Sequence, residues 1–256
     1  MNFLGIEFEV KNKPVLDPAF IPLAAFNSAF LKTARKPVSI AVERNGGLVS
    51  VFDTFIHGTK EMEKADCYYV ERIVKFLLWA KGGYKVMICG DDAMGAYIAE
   101  TYSKTGARAF DNKFMARVYE RDFEVASLPL DKKPEPKESP SSVGRHLDGC
   151  RIGFDAGGSD RKVSAVIDGE AVYSEEVVWF PKITEDPEYH RQGILSAMKA
   201  AAAHMPRVDA IGVSSAGVYI GNRVRVASLF LKVPSELVES KVRNIYVGIA
   251  RELGNI

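Results

Sequence analysis

Asp155-Ala156-Gly157-Gly158-Ser159-Asp160-Arg161-Lys162 places a carboxylate, two glycines, a hydroxyl and an ammonium within one short stretch. Two adjacent glycines open backbone angles closed to other residues and let successive N–H groups converge on an anion. Ser159 adds a hydroxyl and Lys162 a positive charge. With the acid of Asp155 immediately before the turn, the set suits a nucleotide phosphate carrying Mg²⁺. Each residue also has a bland role: Asp155 can cap the turn, Ser159 can bond its own backbone, and Lys162 can be a solvated edge charge. A second candidate is Ser214-Ser215-Ala216-Gly217, where small side chains would let a ligand approach the backbone. Packing alone accounts for that loop equally well.

The elements that must position these residues follow from periodicity. Ile152 and Phe154 alternate with small or polar neighbours, and Val163 to Ile167 resume a β-branched run that ends in an Asp168-Gly169 hairpin. Ala171 to Trp179 gives a third strand. Asp186 then caps a helix that has Pro187 at its first position and runs to His204. Its apolar stripe is Ile194, Ala197, Met198, Ala201 and Met205. Val208 to Val213 is a strand that delivers the Ser214 loop to its carboxyl end. A last helix opens at Pro234-Ser235, with Val238, Val242, Ile245, Ile249 and Leu253 on one side and Gly254 as its stop.

The pattern Asp-x-Gly-Gly-Ser-x-x-Lys, followed by strand, strand, helix, strand and a small-residue loop, resembles the actin-like ATPase and sugar-kinase superfamily. Within it the chain looks most like the ROK group of sugar kinases and repressors, over roughly the last two-fifths of its length. The resemblance implies an α/β, ribonuclease-H-like actin-type ATPase lobe, with ATP and Mg²⁺ as cofactors and phosphoryl transfer to the hydroxyl of a small-molecule sugar. Asp155 would orient Mg²⁺, Gly157, Gly158 and Ser159 would cradle the terminal phosphates, and Lys162 would add charge. Ser214 to Gly217 would lie beside the sugar, although Ser214-Ser215 departs from the Pro-Gly common in that group. The group's Asn-Asp pair, whose Asp is the base, has no match here, nor do the distal lobe and the zinc signature. The chain therefore resembles an amino-terminal portion, with the base expected beyond Ile256 and no sugar phosphorylation by residues 1–256 alone. The other readings are a nucleotide- or sugar-sensing regulator of the same superfamily, a non-catalytic interaction module, and the activator ATPase branch. Cysteine spacing gives that last branch no support.

Composition sets wider bounds. The chain has 256 residues, 47% hydrophobic, with formal charge +1, so nothing calls for a polyanionic partner. No nucleic acid and no membrane are expected, the cytoplasm is the default location, and self-association is left open. Cys67, Cys89 and Cys150 are far apart, and His57, His146, His190 and His204 form no ligand pair, so no structural metal is expected.

Residues 1–128 read as an α/β domain. Ser39–Glu43 and Leu48–Ile56 are strands around Arg44-Asn45-Gly46-Gly47, and a helix follows from Asp66 as its cap to Gly82-Gly83. Lys85–Cys89 is a strand. Gly90-Asp91-Asp92 opens a helix, the acids serving as caps, with a metal or a sugar hydroxyl as the alternative. Phe110–Tyr119 is a helix and Phe123–Leu128 a strand. The prolines between Pro129 and Arg145 make residues 129–145 an extended linker, with an ordered, packed crossover as the less common alternative, and the second domain spans 146–256. Residues 38–90 and 151–217 share a strand, turn, strand, helix, strand order, which raises the idea of two diverged halves, although most α/β domains show this order and that plainer account is preferred.

Overall fold

The computed structural model describes residues 1–140, 144 and 146–254, and the chain divides into two compact units, Met1–Ser141 and Ser142–Ile256. Among the described residues no helix is long and apolar enough to cross a membrane.

The first unit opens with a short antiparallel pair, β1 (Asn2–Phe3) and β2 (Ile6–Glu7). It continues with α1 (Leu23–Thr33), β3 (Lys36–Arg44), β4 (Leu48–Ile56), α2 (Glu63–Lys81), β5 (Lys85–Cys89), α3 (Asp92–Thr101), α4 (Ala109–Tyr119) and β6 (Glu124–Leu128). The main sheet has the order β4-β3-β5-β6. β3 is antiparallel to both neighbours, and β5 runs parallel to β6. Every residue from Val38 to Val42 is buried, the mark of a central strand covered on both faces. Val38, Ile40 and Val42 pack with the helices, while Ala41, Met87 and Cys89 face a smaller cluster that includes Leu130.

Leu130 belongs to the segment expected as a linker. Its prolines keep it out of α-helix and central strand, leaving a single 3-10 turn at Leu130–Lys132, but residues 129–140 do not run free. The Lys137 N–H donates to Val49 O at 2.9 Å and the Val49 N–H returns to Lys137 O at 2.8 Å. Lys133 pairs with Asp53, and Glu138 with Arg44. The segment thus supplies hydrogen-bond partners to the otherwise open edge of β4. Of the rest of 129–145, residues 141–143 and 145 lie outside the described residues.

Asp66 is not a cap. It lies inside α2, buried, with its carboxylate accepting the N–H groups of His57 and Gly58 and the His57 ring at 2.9 Å. Asp91 does cap α3, accepting the Met94 N–H at 2.7 Å, and it pairs with Lys36 at 2.6 Å.

The second unit contains β7 (Cys150–Ala156), β8 (Asp160–Ile167), β9 (Glu170–Val178), α5 (Pro187–Ala202), β10 (Ala210–Ser215), β11 (Gly217–Ile220), β12 (Arg223–Ala227), α6 (Ser235–Leu237) and α7 (Ile245–Leu253). β7, β8 and β9 form an antiparallel meander, and after α5 the chain returns as β10, parallel to β7, giving the order β10-β7-β8-β9. A three-strand meander whose fourth strand joins the first through a helix is the ribonuclease-H-like arrangement of actin-type lobes. Ile152, Phe154, Ala156, Val163 and Ala165 point to one face and pack on Ile194, Ala197, Met198 and Ala201 of α5. Asp168 (φ 48°) and Gly169 (φ 90°) turn the second hairpin in the left-handed region its two-residue loop needs.

The two units do not repeat one another. The strand after the helix is antiparallel to the first strand in the first unit and parallel to it in the second. The idea of diverged halves ends there.

Candidate functional site

The face of the second sheet opposite α5 carries the candidate residues in register. Ser214 of β10 lies beside Asp155 of β7, Asp155 beside Lys162 of β8, and Lys162 beside Glu176 of β9. The next row is Gly212, Gly153, Ser164 and Ser174, all small. All of these except Glu176 line a shallow groove of about 490 Å³. Glycine is needed in its floor, since a Cβ on Gly153 would stand 2.8 Å from the Ser164 hydroxyl.

Asp155 is half-buried, and among the described residues its carboxylate has no hydrogen-bond or ion-pair partner. Lys162, its cross-strand neighbour, turns instead to Asp160 at 2.9 Å and Glu176 at 3.5 Å. The bond that Lys162 donates to Asp160, then the charges of Asp160 and Glu176, raise the Lys162 ammonium above its ordinary value, and the same bond lowers Asp160 in return. The expected free cation is therefore already engaged. Asp160 and Glu176 share that one ammonium and Asp155 has none, a balance that favours an arriving cation such as Mg²⁺ over a bare phosphate.

The turn between β7 and β8 supplies the anion side. Among the described residues none of the N–H groups of Gly157, Gly158 and Ser159 has an acceptor. Their carbonyls are another matter. The Trp179 indole donates to Gly157 O at 2.9 Å, and the Trp179 backbone N–H donates to Ser159 O at 3.0 Å. Trp179 is buried, so it holds the carbonyl side of the turn inward and leaves the donors unused. Successive free N–H groups form a concavity for an anion.

Neither Gly157 nor Gly158 has positive φ, which corrects the expectation that unusual backbone angles require them. The requirement is space. A Cβ on Gly157 would run into the Asp160 carbonyl oxygen, and one on Gly158 would run into the end of the Lys182 side chain.

The Ser214 to Gly217 loop is divided. Ser214 faces the groove, whereas Ser215 lies on the opposite face and accepts hydrogen bonds from Tyr219 at 2.8 Å and Tyr246 at 3.3 Å. Burial pushes the Tyr246 phenol above its usual value. Gly217 (φ 151°) starts β11, where a side chain would strike Val226 O. The structure thus brings Asp155, Lys162 and Ser214 onto one surface and separates Ser215 and Gly217 from it.

Trp179 and Lys182 escape a reading of the sequence. Trp179 ends a run that reads as an ordinary strand, and Lys182 lies in a turn, Pro181–Ile183, with no motif of its own. That turn is fixed by the buried His190, whose ring nitrogens face the carbonyl oxygens of Asp186, Pro181 and Leu229 at 2.9–3.0 Å.

All three cysteines are free, and burial, with Glu63 next, pushes Cys67 up to about 11, away from a reactive thiolate.

No family model and no curated protein matches this chain. Among solved structures it is similar to the Aquifex aeolicus Ppx/GppA phosphatase, type II variant, at 10% identity, over 70% of this chain and 63% of that one, with a TM-score of 0.19. It is also similar to an exopolyphosphatase from Cytophaga hutchinsonii at 8% identity, over 66% of this chain and 58% of that one, with a TM-score of 0.17. The chain thus spans under two thirds of either protein. Likenesses this loose bring neither activity nor substrate to it, and its fold class rests on its own strand order.

Proposed function

We propose that the second unit binds the terminal phosphates of Mg-ATP at the β7–β8 turn and belongs to an ATP-dependent phosphotransferase of the sugar-kinase type. The observation that carries this is the pairing of three unused N–H groups at Gly157, Gly158 and Ser159 with the unpartnered carboxylate of Asp155 at the strand end beside them. The donors suit phosphate oxygens. Asp155 suits Mg²⁺, which commonly takes one or two carboxylates and fills its other positions with phosphate oxygens and water. When bound, the ion would neutralise phosphate charge. The chain's own part is to hold the phosphates on the turn, keep Asp155 beside them, and offer the glycine and serine floor of the groove to an acceptor. Ser214, in register with Asp155, is the residue proposed to face a sugar hydroxyl.

The second reading, a nucleotide or sugar sensor without turnover, has one observation in its favour. Among the described residues lining the groove, Asp155 is the sole carboxylate, and Asp160 and Glu176 nearby are engaged with Lys162. Among the described lining residues no acid besides Asp155, which the proposed Mg²⁺ would engage, stands ready to take a proton from a hydroxyl. General-base help is typically worth about 10²- to 10⁴-fold. Calorimetry with Mg-ATP on the wild type and on Asp155→Ala tests the shared core of both readings. Weak binding that Asp155→Ala abolishes is expected, and equal affinities would remove Asp155 from the site. Sugar-dependent ADP release by the 256-residue chain would then decide for turnover against sensing.

A further inference from the structure

The β7–β8 turn has a second cation beside it that no motif announces. The end of the Lys182 side chain occupies the space into which a side chain at position 158 would project, so its ammonium sits against the turn at Gly158. Among the described residues Lys182 has no hydrogen-bond or ion-pair partner, in contrast to Lys162, which is held by two carboxylates. Its backbone is not adventitiously placed. Pro181 is buried and its carbonyl accepts from the His190 ring, while two residues earlier Trp179 is fastened to both ends of the same turn.

We propose that Lys182 is a phosphate-binding residue and Trp179 the positioning residue of this site, so that the cation serving the terminal phosphate comes from after β9 and not from Lys162. This rests on the phosphate-binding reading above. Trp179 acts by occupying the carbonyls of Gly157 and Ser159, which fixes the direction of the intervening N–H groups. Lys182 then adds an unengaged ammonium over Gly158. The chemistry recognised is the end of a phosphate chain, whether borne by a nucleoside or inorganic, because neither residue is aimed at a base or ribose by anything in the turn.

The test is calorimetry on the full chain with two probes, Mg-ATP and inorganic tripolyphosphate with Mg²⁺. Lys182→Ala should weaken both by roughly tenfold, the scale of one charge-assisted hydrogen bond, and Lys182→Arg should restore most of the loss. Lys162→Ala should weaken them less. Loss toward Mg-ATP alone would contradict the phosphate role. Binding that survives Lys182→Ala while Asp155→Ala abolishes it would overturn this inference and leave the phosphate-binding reading intact. No binding of either probe by the wild type would overturn both. For Trp179, a Trp79→Phe background leaves a single indole, since the chain has two tryptophans. Its emission should change on titration with tripolyphosphate, and Trp179→Phe should lower affinity while circular dichroism shows the fold retained. Unchanged emission together with unchanged affinity in Trp179→Phe would overturn the positioning role.

Discussion

At the scale of single residues, the two glycines of the turn make different demands and should respond differently to the same substitution. Gly157 faces backbone, the Asp160 carbonyl, which cannot move without the turn moving. Gly158 faces the tip of a lysine, which can swing away. Gly157→Ala should therefore cost about 1–3 kcal/mol of stability and remove phosphate binding, whereas Gly158→Ala should stay within about 0.5 kcal/mol of wild type. Thermal melts of the two variants check this, and equal losses would mean the turn is not held as described. Gly158→Ala also displaces the Lys182 ammonium, so its binding defect should match that of Lys182→Ala. Buried His190 makes a related case. Its ring faces three carbonyl oxygens, and His190→Ala would leave a cavity and several unmatched acceptors, costing about 2–4 kcal/mol in a denaturant melt.

At the scale of elements, α3 carries a pH-dependent cap. Burial works to raise Asp91, but its bonds from Lys36 and the Met94 N–H outweigh burial and hold the carboxyl below its ordinary value. A depressed folded-state value means the contribution is present above the unfolded value near 4 and is lost as pH falls through the folded one. Asp91→Asn should thus narrow the stability difference between pH 6 and pH 3, with a loss of about 1 kcal/mol at pH 6. Melts at the two pH values check it. Much of the second unit was legible at this scale: the alternation of Ile152 and Phe154, the Asp168-Gly169 turn and the Asp186-Pro187 helix start are local signals, and each appears where local rules put it. The last helix is different. Val238, Val242, Ile245 and Ile249 are spaced as one continuous stripe, yet the chain widens to a π turn over Val238–Val242 and restarts at Ile245. The Arg243 N–H reaches back to Val238 O at 2.9 Å, while the Arg243 carbonyl and guanidinium bond the backbone of Val224 in β12. A strand absent from the sequence reading thus decides the helix's shape. The same holds for Trp179 and Lys182, whose roles exist only once β9 has been laid beside β8 and the next turn folded back.

At the scale of the whole molecule, a formal charge of +1 supplies no long-range attraction for ATP, so affinity must come from local donors and from Mg²⁺. Most of the candidate site was visible as a motif, but its electrostatics were not. The lysine within the motif is already engaged, the unengaged one lies outside it, and Ser215 turns away from the groove. What the central claim requires is that Gly157, Gly158 and Ser159 use their free N–H groups on phosphate. Nitrogen-15 correlation spectra recorded during a titration with Mg-ATP read those three amides directly. Their resonances should shift downfield together as the donors gain acceptors, and the shifts should vanish in Asp155→Ala. Resonances of Gly157, Gly158 and Ser159 that stay in place while Mg-ATP binds elsewhere, for example around Gly90 to Ala93, would contradict it.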